Sequence, residues 1–305
     1  MIFYLLLFLP VYLSFALRSI SWCPEKHHTY KWRQHNIHYI RETPRTSDDK
    51  PAILLVHGFG SSSYHWRYNI LQLAEYYDVY AIDLIGFGKS SKPLENYHTS
   101  LWTNQTLDFI ENVIGKNTIV VGNSLGGSIA LQSSRHELVD GVILINSYVK
   151  FKNNQPSFMR LPRFLIPVFT NNYFQYIQES QKIKDTLRNL YPVQPERVDD
   201  HLVESILQPS YDPNAPQVLS NIIENIMYDS DENCVDVEHI INTLQKPMLL
   251  IWGTQDAWIS KEIAEKIVKL HPKALTKFVR AGHCPQDEIP ETVNEIILQF
   301  MIREC

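Results

Sequence analysis

Short apolar runs recur along the chain at 52–56, 79–82, 118–121, 142–145 and 248–252, and they restrict its fold more than any other feature. Each is only four or five residues long, so it reads as a strand. A strand that is apolar at every position is buried on both faces, which requires a largely parallel sheet with helices packed on either side. Helical patterns fall between the runs, at 63–75, 99–114, 125–134, 261–270 and 290–302. Pro290 suits the first turn of the last of these, where a missing N–H costs nothing. An early antiparallel strand is expected at 36–41 and a further buried strand at 276–279. The expected class is α/β, with a mostly parallel central sheet and helices on both faces.

The strand–helix rhythm stops after Ile145 and resumes at Met248. The intervening stretch is rich in Asn, Gln, Tyr and Pro, reads as mostly helical, and is too long for a structureless loop. It is expected to form a helical cap over the C-terminal ends of the strands, where open α/β sheets bind their ligands. This divides the chain into a core at 30–147 and 243–305 and a cap at 148–242. Residues 1–17 are uncharged and apolar, broken by Pro10 and followed by Arg18. They read as a signal peptide with small residues at Ser14 and Ala16, or as a signal anchor that stays attached. Residues 18–29 read as a leader or linker. The expected route is the secretory pathway, to the outside or the endomembranes, or a plastid through a bipartite leader. A net charge of −5 over 305 residues, with no basic stripe or arm, excludes a nucleic-acid partner. Cys23, Cys234, Cys284 and Cys305 lie far apart without CxxC spacing, so no metal site is expected. No cofactor is indicated.

The chemistry concentrates at Gly122-Asn123-Ser124-Leu125-Gly126-Gly127, which matches G-x-S-x-G and sits between a buried strand and a helix. A sharp strand-to-helix turn holds its serine in strained geometry, and side chains at Gly122 or Gly126 would strike neighbouring backbone. Ser124 is the candidate nucleophile. A serine hydroxyl needs a positioned base, and His283 stands in a loop after the last expected strand, at the same sheet edge. The histidine needs a carboxylate to orient it and to stabilise the imidazolium, and Asp256 follows the strand at 248–252 at that same edge. After the preceding strand stands Asn146, which carries no charge. By position, the backbone N–H groups of Phe59 and Leu125 are the candidate oxyanion hole, each donor typically worth about 3 kcal/mol.

Other features receive quieter readings. His57 is first of all a structural hydrogen-bonding residue, although with Trp66, Phe158 and Phe164 it is carried as a candidate for the substrate wall. The loop from Asp83 to Ser90 lacks the order of a phosphate-binding loop. Asp83 there is expected to tie down backbone N–H groups. The start of the insertion, around Phe158, Phe164 and Phe169, is rich in apolar and aromatic residues between Arg160 and Arg163. It suits the packing of a cap, or a lipophilic wall or membrane-facing lip.

Together, His57-Gly58-Phe59-Gly60, Asp83-x-x-Gly86-x-Gly88-x-Ser90, the Ser124 elbow and Ala281-Gly282-His283-Cys284-Pro285 resemble the capped α/β-hydrolases from about Tyr30 to Ile302. Phe59-Gly60-Ser61-Ser62-Ser63 with His65-Trp66-Arg67, and Gly282-His283-Cys284-Pro285-Gln286-Asp287-Glu288, resemble more narrowly the plant and cyanobacterial branch that includes pheophytinase-like enzymes. The resemblance implies an α/β-hydrolase fold and hydrolysis of a carboxylic ester, with a bulky apolar example in a phytyl ester. Epoxide hydrolases and haloalkane dehalogenases resemble this branch but attack with an aspartate where this chain has Ser124. A lyase, a carbon–carbon bond hydrolase and a ligand receptor that keeps the hydrolase pocket stay open as alternatives. The expected partner is a small lipophilic ester, with membrane association through the leader or cap.

Overall fold

The sheet explains why the apolar runs carry no polar interruptions. In the computed structural model, which describes residues 27–44, 49–151, 166, 167, 170, 171, 174, 178–228 and 236–304, eight strands form one sheet. They are β1 (His27–Trp32), β2 (His35–Glu42), β3 (Ala52–Val56), β4 (Val79–Ile82), β5 (Thr118–Asn123), β6 (Val139–Ile145), β7 (Met248–Gly253) and β8 (Leu275–Val279), in the spatial order β1-β2-β4-β3-β5-β6-β7-β8. The pairs β1–β2 and β2–β4 are antiparallel and every other pair is parallel. This is the α/β-hydrolase architecture.

Alternation along each strand sends neighbouring residues into two separate cores. On β3, Ala52, Leu54 and Val56 join Val120, Leu144 and Leu250 on one face, while Ile53 and Leu55 join Val121, Ile143 and Ile251 on the other. The helices, in chain order, are α1 (Ile70–Leu73), α2 (Thr99–Phe109), α3 (Leu125–Ser133), α4 (Ser180–Arg188), α5 (Asp200–Ser210), α6 (Ala215–Tyr228), α7 (Val237–Thr243), α8 (Lys261–Leu270), α9 (Pro285–Glu288) and α10 (Pro290–Glu304). The first core is closed by Phe109, Ile129, Ile240 and Ile267 of α2, α3, α7 and α8, the second by Ile70 and Leu73 of α1 and Val293, Ile297 and Phe300 of α10. Truncating a core leucine such as Leu54, which is fully buried, costs about 2–5 kcal/mol in such surroundings.

Some expected boundaries move. β1 begins at His27, inside the stretch read as leader or linker, because it is an edge strand whose exposed positions hide its pattern. β8 is the opposite edge and is only partly buried, with Phe278 46% exposed, where a buried strand was expected. The helix expected at 63–75 is instead a 3-10 turn at Ser63–Trp66, entered through the Ser62 hydroxyl, which accepts the Tyr64 N–H, followed by the single turn of α1. The helix at 99–114 ends as a π turn over Ile110–Ile114, closed by Gly115 at φ 68°. α4, α5 and α6 lie within the insertion between β6 and β7. Among the described residues no helix is long and apolar enough to cross a membrane. The readings made for 1–17 and for Phe158, Phe164, Cys23, Cys234 and Cys305 lie outside the described residues.

Candidate active site

β5 ends at Asn123 and α3 begins at Leu125, so Ser124 makes the whole turn, at φ 54° and ψ −117°. A non-glycine residue at positive φ costs about 1–3 kcal/mol and persists only where its surroundings enforce it. They do so here. A Cβ on Gly122 would stand 2.0 Å from the Gly126 carbonyl oxygen, and one on Gly126 would stand 2.1 Å from that of Val56. The helix therefore presses against β5 and β3, and only glycines allow it. The Ser124 N–H donates to the Ile145 carbonyl at 3.0 Å, and the Ser124 carbonyl accepts the N–H groups of Gly127 and Tyr148.

Asp256 lies in the turn after β7. One of its oxygens, Oδ1, accepts the N–H groups of Trp258 at 2.7 Å and Ile259 at 3.1 Å. The other, Oδ2, lies 2.7 Å from Nδ1 of His283 and accepts the Asn146 amide, also at 2.7 Å. Burial pushes the Asp256 carboxyl up, but the His283 contact and the two backbone N–H groups outweigh it and hold the pKa below the ordinary value. An ionised carboxylate can only accept, so it is the imidazole that donates from Nδ1, leaving Nε2 as the basic nitrogen. Asn146, at φ 40°, also accepts the Gly253 N–H at 2.8 Å and so couples the ends of β6 and β7.

The His283 loop is held on every side. The His283 N–H donates to Leu190 O at 3.0 Å, and its carbonyl accepts the Asn123 amide at 3.0 Å, which joins it to the elbow. Glu288, fully buried, accepts the N–H groups of Gly282, Val193 and Gln194. Beside it Asp287 receives Nε of Arg67 at 2.8 Å and the Tyr191 hydroxyl at 2.9 Å, while Arg67 also donates to Asp199 at 2.8 Å. The exposed Trp258 ring lies beside His283, tilted 49° to it with 5.1 Å between centroids. Cys284 is buried, and burial together with Asp287 and Asp256 pushes its thiol pKa up, away from a reactive thiolate.

Two cavities meet at Ser124, of about 200 Å³ and about 290 Å³. The first is bordered by Gly58, Phe59, Ser124 and His283 and by Ile183, Leu187 and Leu219 of the insertion. The second is bordered by Phe59, Ser124 and Leu125. Leu125 is the first residue of α3, so its N–H is among those a helix leaves unsatisfied within itself. Ser124, His283, Asp256, Phe59 and Leu125 are therefore drawn together from four separate stretches of chain.

His57 and Trp66 border neither cavity, which corrects their candidacy for the substrate wall. The buried His57 ring spends Nδ1 on Gly58 O at 2.7 Å and Nε2 on the Leu84 N–H at 3.0 Å. Burial lowers its pKa, so it stays neutral. Trp66 is packed into the core beneath the sheet with Leu55 and Leu73. In a 3-10 turn successive residues point about 120° apart, and it is His65, its neighbour, that reaches the first cavity. Asp83 does anchor its loop, accepting the N–H groups of Ser63 at 2.7 Å and Lys89 at 2.8 Å. Among the described residues no group of three His, Cys, Asp or Glu side chains is placed to hold a metal ion.

The model of the Alpha/beta hydrolase family matches residues 53–296. The chain belongs to the alpha/beta hydrolase family. Among curated relatives of this hydrolase, the chloroplastic pheophytinase of Arabidopsis thaliana is 27% identical over 82% of the chain, which spans 60% of that relative's length. Epoxide hydrolase 4 of Homo sapiens is 27% identical over 88% of the chain and 76% of its own length. Among solved structures, a serine hydrolase involved in carbazole degradation superimposes with a TM-score of 0.73 at 21% identity, over 90% of this chain and 98% of the other. The family and these relatives support hydrolase activity; the structural likeness speaks for the fold.

Four site residues of this hydrolase escaped the sequence reading. Asn146 was seen only as an absent acid, although a polar amide directly after a buried strand is itself a signal. Trp258 carried a signal in its place two residues beyond Asp256. His65 and Glu288 stand within the motifs that carry the resemblance, but no role follows from the sequence for either.

Proposed function

We propose that the chain is a serine hydrolase that cleaves a carboxylic ester of a lipophilic substrate through an acyl-enzyme. The observation that carries this reading is a strained Ser124 sharing one cavity with His283, whose Nδ1 is 2.7 Å from a buried carboxylate. Ser124 Oγ attacks the ester carbonyl carbon while Nε2 of His283 takes its proton. The carbonyl oxygen becomes an oxyanion facing the N–H groups of Phe59 and Leu125. As the carbon–oxygen bond to the alcohol breaks, the imidazolium returns the proton to the leaving oxygen. Water then attacks the acyl-serine, its proton passing to His283 and on to Ser124, and a carboxylic acid leaves. Asp256 keeps the imidazole in the tautomer that can accept at Nε2. The insertion at 148–242 serves as a cap, since Ile183, Leu187 and Leu219 give the cavity an apolar wall suited to a lipophilic ester.

Opening an epoxide by nucleophilic attack through a carboxylate would need an acidic side chain at the elbow, and Ser124 stands there instead. Replacing Ser124 with Ala is expected to abolish both hydrolysis of activated esters and labelling by a fluorophosphonate. Labelling that persists in this variant would overturn the assignment.

A further inference from the structure

A buried polar ring with nothing to bond borders the first cavity. His65, in the 3-10 turn Ser63–Trp66, is 5% exposed and shares that cavity's wall with Ser124 and His283. Its Nε2 is shut off from solvent and meets no hydrogen-bond partner. Other polar side chains on the same wall already donate to backbone carbonyls: Lys92 to Gly88 and Ser90, Asn123 to Ile145 and His283, Ser205 to Leu202, and Ser210 to Leu207. Arg67, two residues along, spends its guanidinium on Asp287, Tyr64, Asp199 and the Arg197 carbonyl, and none of these bonds goes to the imidazole. Burial, then the Arg67 guanidinium, lower the pKa of the ring to about 3. At ordinary pH it is therefore neutral, with one N–H and one lone pair. An unpaired polar group in the interior costs stability that an apolar side chain of similar size does not. Here that cost falls on the wall of the cavity that holds the nucleophile.

We propose that His65 is a substrate-recognition residue whose imidazole hydrogen-bonds a hydroxyl group carried by the ester within the first cavity. This role rests on Ser124 being the nucleophile, which makes the cavity the substrate's, and it adds a chemical feature that the substrate must bear. No hydrogen bond fixes the ring, so a half-turn about χ2 presents either of its edges to the cavity. A hydroxyl both donates and accepts, and so pairs with either tautomer of a neutral imidazole. A carboxylate gains no ion pair from such a ring, and an ether oxygen can only accept. Around His65 the wall is hydrocarbon at Ile183, Leu187 and Leu190. Few polar groups in an apolar pocket fix the orientation of a ligand, and a hydrogen bond made there is stronger than one made in water. The ring thus selects the ester that brings the missing partner.

The test compares, on the purified full chain, hexyl hexanoate with analogues that each carry one hydroxyl, placed on successive carbons of the alcohol or the acyl chain. In the wild type the best-placed hydroxyl is expected to raise kcat/KM about tenfold over hexyl hexanoate, the scale of one well-made hydrogen bond in a shielded site. The gain should come mainly through KM. His65→Leu, of similar volume, should bring that ratio to about one, and the melting temperature of the ligand-free variant should not fall, because no internal hydrogen bond is lost. Absence of a hydroxyl preference at every position in the wild type overturns the proposal, as does a preference that survives in His65→Leu. If leucine unfolds the chain, His65→Phe is read in the same way, and unfolding of both makes the ring a structural element and overturns the proposal too. Fluorophosphonate labelling of wild-type Ser124, mapped by peptide mass, separates the two levels. A labelled serine without a hydroxyl preference that depends on His65 removes only the recognition role, whereas an unlabelled serine removes the nucleophile reading and the recognition role with it.

Discussion

Asn146 stands at φ 40° with its side chain spanning two elements, its Oδ1 accepting the Gly253 N–H and its Nδ2 donating to Asp256. The second bond is to the same carboxylate oxygen that meets His283, so the amide both holds the acid in place and stabilises its charge. Asn146→Gly tolerates the positive φ and isolates the loss of the amide. Removing a hydrogen bond to a buried charge costs about 1.5–3 kcal/mol, so kcat is expected to fall by about ten- to a hundredfold with KM little changed. Steady-state kinetics on an activated ester measures this, and an unchanged kcat would show that Asp256 is held without the amide. Residue identities around Ser124 were legible because sterics dictates them, as Gly122 and Gly126 demonstrate. Asn146 was not, since an amide after a strand has many uses and only the fold shows which carboxylate it meets.

At the scale of elements, the link between the insertion and the histidine loop runs through the stretch joining α4 to α5. Leu190 O receives the His283 N–H, Glu288 gathers the N–H groups of Gly282, Val193 and Gln194, and Arg67 joins Asp287 to Asp199. Burial works against the Arg67 charge, but Asp287 and Asp199 outweigh it and raise its pKa, so the guanidinium stays protonated. Glu288→Gln keeps the shape but turns one acceptor oxygen into a donor facing a backbone N–H. A buried clash of two donors costs about 1–3 kcal/mol. The expected outcome is a lower melting temperature together with a lower kcat and a slower fluorophosphonate reaction, because the His283 loop loses its anchor. A variant that loses stability but keeps the full labelling rate would make Glu288 structural alone. The buried strands were readable because β3, β5, β6 and β7 are apolar on both faces. The edges were harder. β1 alternates exposed and half-buried polar residues, and α9 is a single turn whose acidic side chains are hidden by contacts the chain makes far away in sequence.

The molecule as a whole keeps its charged and neutral buried groups in forms that acid would disturb. Burial, then the neighbouring Arg67 guanidinium, depress the pKa of His65 from 6.5 to about 3. His57 is lowered by burial as well. Burial would raise the Asp83 carboxyl, but His38, His57 and the Ser63 N–H outweigh it and hold it below the ordinary carboxylate range. In each case the unfolded chain binds a proton that the folded chain refuses, so stability is fully present above the unfolded pKa and falls as pH drops below it. The histidines give the first decline, below pH 6.5, and Asp83 adds to it below about pH 4. Over the interval in which unfolded His65 is protonated and folded His65 is not, it contributes a slope of about 1.4 kcal/mol per pH unit. Urea unfolding of the wild type and of His65→Gln, measured at about pH 7.5, pH 6 and pH 5, is expected to show the variant losing less stability on acidification. Identical pH dependence in the two would mean that His65 binds its proton in the fold as readily as in the unfolded chain, and its place on the wall of the first cavity would then put a positive charge beside Ser124 in acid.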